Sequence, residues 1–168
     1  MEDNKNMNGK IDVFDEIGLT SWHFSKVIKD IFYKVTGLEV SEEKYAPDSN
    51  NKFNKQISGI VVLKGDKNIM ISISMSYRTA AALVANMTNL SSAEVKLEEQ
   101  SDGIMELTNM IAGQTKAKLA SVGLHYSYLQ PFTIVGDNHC VLQKRKVSSM
   151  ELKFHSGEIE MLLSVYVQ

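Results

Sequence analysis

The 168-residue sequence holds a single cysteine, Cys140, so an intrachain disulfide is excluded. It has four histidines, His23, His125, His139 and His155, and no H-E-x-x-H or paired ligand spacing, so a metal site is not expected. Its longest apolar stretches are strand length, far below the roughly 18 residues that a membrane helix needs. Eighteen basic against twenty acidic side chains leave a formal charge of −2, too little of either sign to argue for nucleic acid or an anionic membrane as partner. A Gly-rich phosphate loop and a Ser/His/Asp order are also missing. The polar opening, Met1 to Lys10, has no apolar signal-peptide core, and a cytoplasmic location is the expectation.

What is present is average globular material, 43% apolar and 23% charged, at a length suited to one domain. Residues 1–14 read as a flexible leader, rich in Asn, Lys and Asp, and residues 15–168 as a single domain. Phe24, Val27, Ile28, Ile31 and Val35 recur at helical spacing between a capping Thr20 and Gly37, which predicts a helix over 20–36. Residues 41–55, with Pro47, Asp48 and several Asn, read as a loop, a short strand around Val40 being the alternative. Two Ile/Val-rich arms, 56–63 and 68–75, flank the turn residues Lys64-Gly65-Asp66-Lys67 and predict a hairpin. In its second arm Ile69, Ile71, Ile73 and Met75 alternate with Ser72 and Ser74, as in a strand buried on one face.

Ser76 caps a second helix over 77–89, and a third runs over 98–121, ending before Gly123. Strands are predicted at 129–135, 147–154 and 158–167, the last two joined by His155-Ser156-Gly157. Both faces of the final strand carry apolar residues, which fits either a seam with a second copy or a central strand covered by helices. The sum is an α/β fold of α+β-like character: a two-layer sandwich of about three helices on a largely antiparallel sheet.

The third helix carries the chemistry. With Asp102 at zero and 100° per residue, Glu106 falls at about 40°, Asn109 at about −20° and Gly113 at about 20°. Ile104, Leu107, Ile111 and Val122 fall opposite, at about 140° to 200°. Such a stripe suits an ordinary wet face, but mid-helix Asn and Gly are poor helix formers, Gly by about 1 kcal/mol against Ala. Their placement one turn apart fits a surface that another molecule approaches closely. Asp102 either extends that surface or helps to cap the helix, and Met105 and Met110 flank the stripe at about −60° and 80°.

At these residues the sequence resembles the CheC/CheX family of bacterial chemotaxis phosphatases, which act on the response regulator CheY. The family signature is Asp or Ser, Glu four positions later, Asn three after that, and a distant Pro. Asp102, Glu106, Asn109 and Pro131 match it, with Pro131 22 positions beyond Asn109. On the first helix Ser21, Ser25 and Ile28 stand where a second signature would fall. A single signature is the CheX pattern. The resemblance implies that Asn109 orients the attacking water and Glu106 docks on a receiver lysine, with Asp102, Gly113 and Pro131 in support. It implies a phosphorylated CheY-like regulator as substrate, Mg²⁺ carried by that regulator and no cofactor of the chain's own, and a homodimer. The rival is a non-catalytic CheX-like or flagellar-switch-like module that binds a receiver or another signalling partner. A small-molecule enzyme has no supporting motif.

Overall fold

The computed structural model describes residues 13–43, 45, 53–139 and 147–168. Most of the expected leader, residues 1–12, lies outside them, as do Pro47, Asp48 and Cys140. Four helices, α1 (Val13–Glu16), α2 (Ser21–Thr36), α3 (Tyr77–Thr88) and α4 (Leu97–Ser121), accompany seven strands. These are β1 (Ser41–Glu43), β2 (Ile57–Lys64), β3 (Ile69–Met75), β4 (Ser127–Tyr128), β5 (Phe132–Val135), β6 (Ser148–Ser156) and β7 (Ile159–Val167). They form one antiparallel sheet in the order β1-β6-β7-β3-β2-β4, with β5 beside β4 along the outer edge of β2.

Local signals set the helix ends. Thr20 accepts the His23 backbone N–H at 3.3 Å, and Gly37, at φ 72°, closes α2 by donating to the Tyr33 carbonyl. Ser76 caps α3 in the same way through Thr79. At the start of α4 the backbone N–H of Lys96 donates to the Glu99 carboxylate at 2.7 Å. Short elements escaped the sequence reading: Val13 and Phe14, assigned to the leader, begin α1, with Phe14 4% exposed within the core, and Ser41–Glu43, read as loop, form β1 beside β6. Four residues are too few to show a helical period.

The helices cover the sheet face that carries Ile57, Val61, Ile71, Ile73, Leu163 and Val165, which share one buried cluster with Phe24, Ile28, Ile104, Leu107 and Ile111. Two glycines allow that approach. A Cβ on Gly59 of β2 would overlap Thr108 Oγ1 and lie 3.0 Å from the Ile104 carbonyl oxygen, so α4 rests directly on β2. A Cβ on Gly103 would lie 2.5 Å from Val84 Cγ2, where α3 crosses α4.

Two expectations are corrected and one open alternative is decided. β3 is buried on both faces, not one: Ser72 and Ser74 are as covered as the isoleucines, and Ser74 hydrogen-bonds Ser58 at 2.6 Å. Paired hydroxyls satisfy each other and tolerate burial. β7 is central, flanked by β6 and β3, so its edges are not available as a seam and the reading of a covered central strand holds. The strand predicted over 129–135 is shorter, β5 at Phe132–Val135, and the two-residue β4, Ser127–Tyr128, precedes the predicted range. Leu63 pairs with Tyr128 and Ile60 with Phe132, so residues 129–131 stand opposite Val61 and Val62 alone. This β-bulge resets the alternation of side chains by one residue.

Candidate functional site

Helix α4 and the bulge build the site from opposite sides. Ile104, Leu107 and Ile111 are fully buried against the sheet, which turns Asp102, Glu106 and Gly113 to solvent and leaves Asn109 half-buried. Opposite them the bulge presents Gln130 and a buried Pro131, with Tyr128 just before it on β4. Asp102, Met105, Glu106, Asn109, Tyr128, Gln130 and Pro131 together line an open groove of about 400 Å³. The two walls are joined by a hydrogen bond of 2.9 Å between Ser101 Oγ and Thr133 Oγ1. The bulge makes that bond possible: with the alternation reset, Thr133 and Tyr128 both face the helices.

The sequence-predicted residues Asp102, Glu106, Asn109 and Pro131 thus meet in one groove. Gly113 lies on the same stripe beyond its lining, exposed, with nothing within 4 Å of where a Cβ would stand. Asp102 lies too deep in α4 to cap it, because the cap falls at Lys96, so of its two readings the surface role remains. Val122 does not continue the buried seam: it terminates the helix and is 49% exposed, because the wheel stops applying at the C-cap. Lys118, which falls at about 160° on the same wheel among the apolar residues, is half-buried near His23. Met105 borders the groove, whereas Met110 packs against the core.

Among the described residues the carboxylates and carboxamides of the groove are not used internally. Asp102, Glu106, Asn109 and Gln130 make no side-chain hydrogen bond or ion pair among the described residues. Two carboxylates and two carboxamides on adjoining walls are therefore available to a partner. They are neutral donors and acceptors beside anions, suited to a cation and a water or phosphoryl oxygen. The described residues contain no cluster of three or more His, Cys, Asp or Glu able to hold a metal. No helix among them is long and apolar enough to cross a membrane. Tyr128 and Gln130 were not anticipated from sequence; their place depends on the one-residue offset of the bulge.

No curated protein matches the chain. Among solved structures, the chemotaxis protein CheX from Vibrio vulnificus is similar with a TM-score of 0.76 at 21% identity, over 88% of this chain and 95% of that one. CheX from Desulfovibrio desulfuricans gives 0.75 at 23% identity, over 91% and 99%. A CheX–CheY–BeF₃–Mg²⁺ complex from Borrelia burgdorferi gives 0.67 at 19% identity, over 95% and 99%. At these identities the likeness is one of fold. The family described as chemotaxis phosphatase CheX matches residues 57–155, a span from β2 to β6 that includes the whole groove. The chain belongs to the CheX family.

Proposed function

We propose that this chain accelerates hydrolysis of the aspartyl phosphate on a CheY-like response regulator. The observation that carries the reading is the free Glu106 and Asn109 pair, one helical turn apart in an open groove with Pro131 on its opposite wall. The Borrelia burgdorferi structure is a CheX–CheY–BeF₃–Mg²⁺ complex, and by that likeness the substrate here is a phosphorylated receiver that brings its own Mg²⁺. A chain acting on such a receiver works in the cytoplasm. Family likeness also carries the homodimer. With β7 enclosed, a second copy joining the sheet would meet β1 or the β4–β5 side.

In the docked complex α4 lies over the phosphorylation site. Hydrolysis needs a water in line behind phosphorus; as its oxygen bonds to phosphorus the bond to the aspartyl oxygen breaks, releasing inorganic phosphate and the carboxylate. Asn109 accepts a hydrogen bond from that water and donates another through its amide without setting a negative charge against the phosphoryl oxygens. Glu106, exposed one turn earlier, pairs with a receiver lysine and fixes the register. Asp102 extends the anionic edge, and Pro131 shapes the opposite wall.

Phosphate release from phosphorylated receivers of the same organism tests the reading. Asn109→Ala should lower the stimulated rate on the order of 10²-fold or more, with affinity for a beryllofluoride-loaded receiver kept within about twofold. Equal release by both proteins would remove Asn109 from the chemistry. Binding by the wild type without any release would favour the non-catalytic module.

A further inference from the structure

The stripe on α4 does not end at Gly113. Lys116 falls at about −40° on the same wheel, two turns beyond Asn109, and its ammonium stands over the Tyr128 ring, 5.4 Å from the centroid. Tyr128 is 39% exposed, lines the groove and sits on a two-residue strand held to β2 at Leu63 and Lys64. A tyrosine on so short an edge element has little backbone to define its side chain. A cation over its ring supplies that definition, favouring the braced rotamer by roughly 2- to 5-fold. Two residues on, Gln130 offers a free carboxamide to the same wall.

We infer that Tyr128, braced by Lys116, is the partner-selecting contact of this groove, with Gln130 beside it. The inference rests on the receiver docking proposed above. Glu106 and Asn109 address features that any phosphorylated receiver must have, a lysine and a phosphoryl group, and so do not tell one receiver from another. The opposite wall meets the surface beside the phosphorylation site, where the shared chemistry of phosphoryl transfer no longer dictates the receiver's side chains. An exposed ring with only two side-chain torsions to immobilise is an effective anchor for an apolar or amphipathic side chain there. Lys116 is then a positioning residue that acts through Tyr128.

The test titrates wild type, Tyr128→Ala, Tyr128→Phe, Lys116→Met and the Lys116→Met/Tyr128→Ala double variant with a panel of beryllofluoride-loaded receivers, and measures phosphate release at saturation. Circular dichroism checks that each variant folds, and Tyr128→Phe retains the ring should Tyr128→Ala disturb β4. Tyr128→Ala should weaken the preferred receiver about tenfold, narrow the spread of affinities across the panel, and leave kcat within about twofold. Tyr128→Phe should behave as wild type. Lys116→Met should weaken binding about 2- to 5-fold, and not at all when Tyr128 is already Ala. Wild-type affinity and spread in a folded Tyr128→Ala protein would overturn the inference while leaving the phosphatase reading intact, and a Tyr128→Phe protein that loses the preference would overturn the ring anchor by moving the selection to the hydroxyl. An equal loss from Lys116→Met in both backgrounds would overturn the bracing, since Lys116 would then touch the receiver itself. A wild type that binds no receiver would defeat the docking reading and this inference with it.

Discussion

Ser101 and Thr133 share a hydrogen bond of 2.9 Å that ties the helix carrying Asn109 to the strand that follows Pro131. Both hydroxyls are half-buried, and the bond is the one side-chain hydrogen bond between the two walls among the described residues. Together with the Lys116–Tyr128 cation–π contact farther along α4, it couples the width of the groove to few polar contacts, of which it is the neutral one. Thr133→Val keeps the shape of the side chain and removes the hydroxyl. It should lower stability by about 0.5–1.5 kcal/mol in urea denaturation. If the bond sets the groove, the same variant should lower kcat/KM for receiver dephosphorylation more than its small stability loss explains. An unchanged kcat/KM would show that packing and the Lys116–Tyr128 contact hold the walls without this bond.

Glu106→Gln preserves size and removes charge. A charged hydrogen bond to a lysine contributes about 1.5–3 kcal/mol, so affinity for the loaded receiver should fall roughly 10- to 100-fold. The ionic character gives a second readout. An exposed ion pair is screened by salt, so wild-type affinity should decline as sodium chloride is raised, and the Glu106→Gln curve should be flatter. Equal affinities at low salt would take Glu106 out of the interface. Asp102→Asn, one turn earlier on the same rim, should show the same trend at about 0.2–1 kcal/mol, the range for an exposed pair.

How far the site was legible follows from what each residue's position depends on. Asp102, Glu106 and Asn109 were readable because a 25-residue helix imposes its period wherever it sits, and the buried Ile104, Leu107 and Ile111 fixed which way it faced. Pro131 was found only through the family signature that it matches, and its place beside the strand was not, because the offset at 129–131 exists only in the pairing with β2. Tyr128 was missed for the same reason; its contact with Lys116 is made across two elements. Ser72 and Ser74 read as a solvent face because alternation reports polarity, and polarity implies exposure only when the hydroxyls lack internal partners.

Gly59 and Gly113 separate a structural glycine from a surface one. A Cβ at Gly59 would overlap Thr108 Oγ1 and lie 3.0 Å from Ile104 Cγ2, so Gly59→Ala should cost about 1–3 kcal/mol through overpacking. Thr108→Ala removes the first obstructing atom, and the pair should be non-additive, the second change costing less in the Gly59→Ala background. Gly113→Ala meets nothing within 4 Å and should raise stability by about 0.5–1 kcal/mol through helix propensity. If a receiver approaches the backbone there, the more stable protein will bind it less well. A titration in which Gly113→Ala docks as tightly as wild type would reduce Gly113 to an ordinary exposed position.

His23 supplies the pH dependence. It lies on α2 at 9% exposure, its ring edge-on to Phe24 at 5.4 Å between centroids, and its Nε2 has no hydrogen-bond partner among the described residues. Burial, with a smaller contribution from the Lys118 ammonium, pushes its pKa below the ordinary 6.5. The folded protein thus holds this imidazole neutral at pH values where the unfolded chain protonates it. Stability is full above 6.5 and declines as pH falls below it, until the folded-state value is reached and the loss levels off. His23→Leu removes both the titration and the orphaned nitrogen, so between pH 6.5 and about pH 5, before most carboxylates titrate, its stability should fall less steeply than that of the wild type. Urea midpoints across that window measure the difference, and parallel curves would mean that His23 becomes protonated without cost in the folded state.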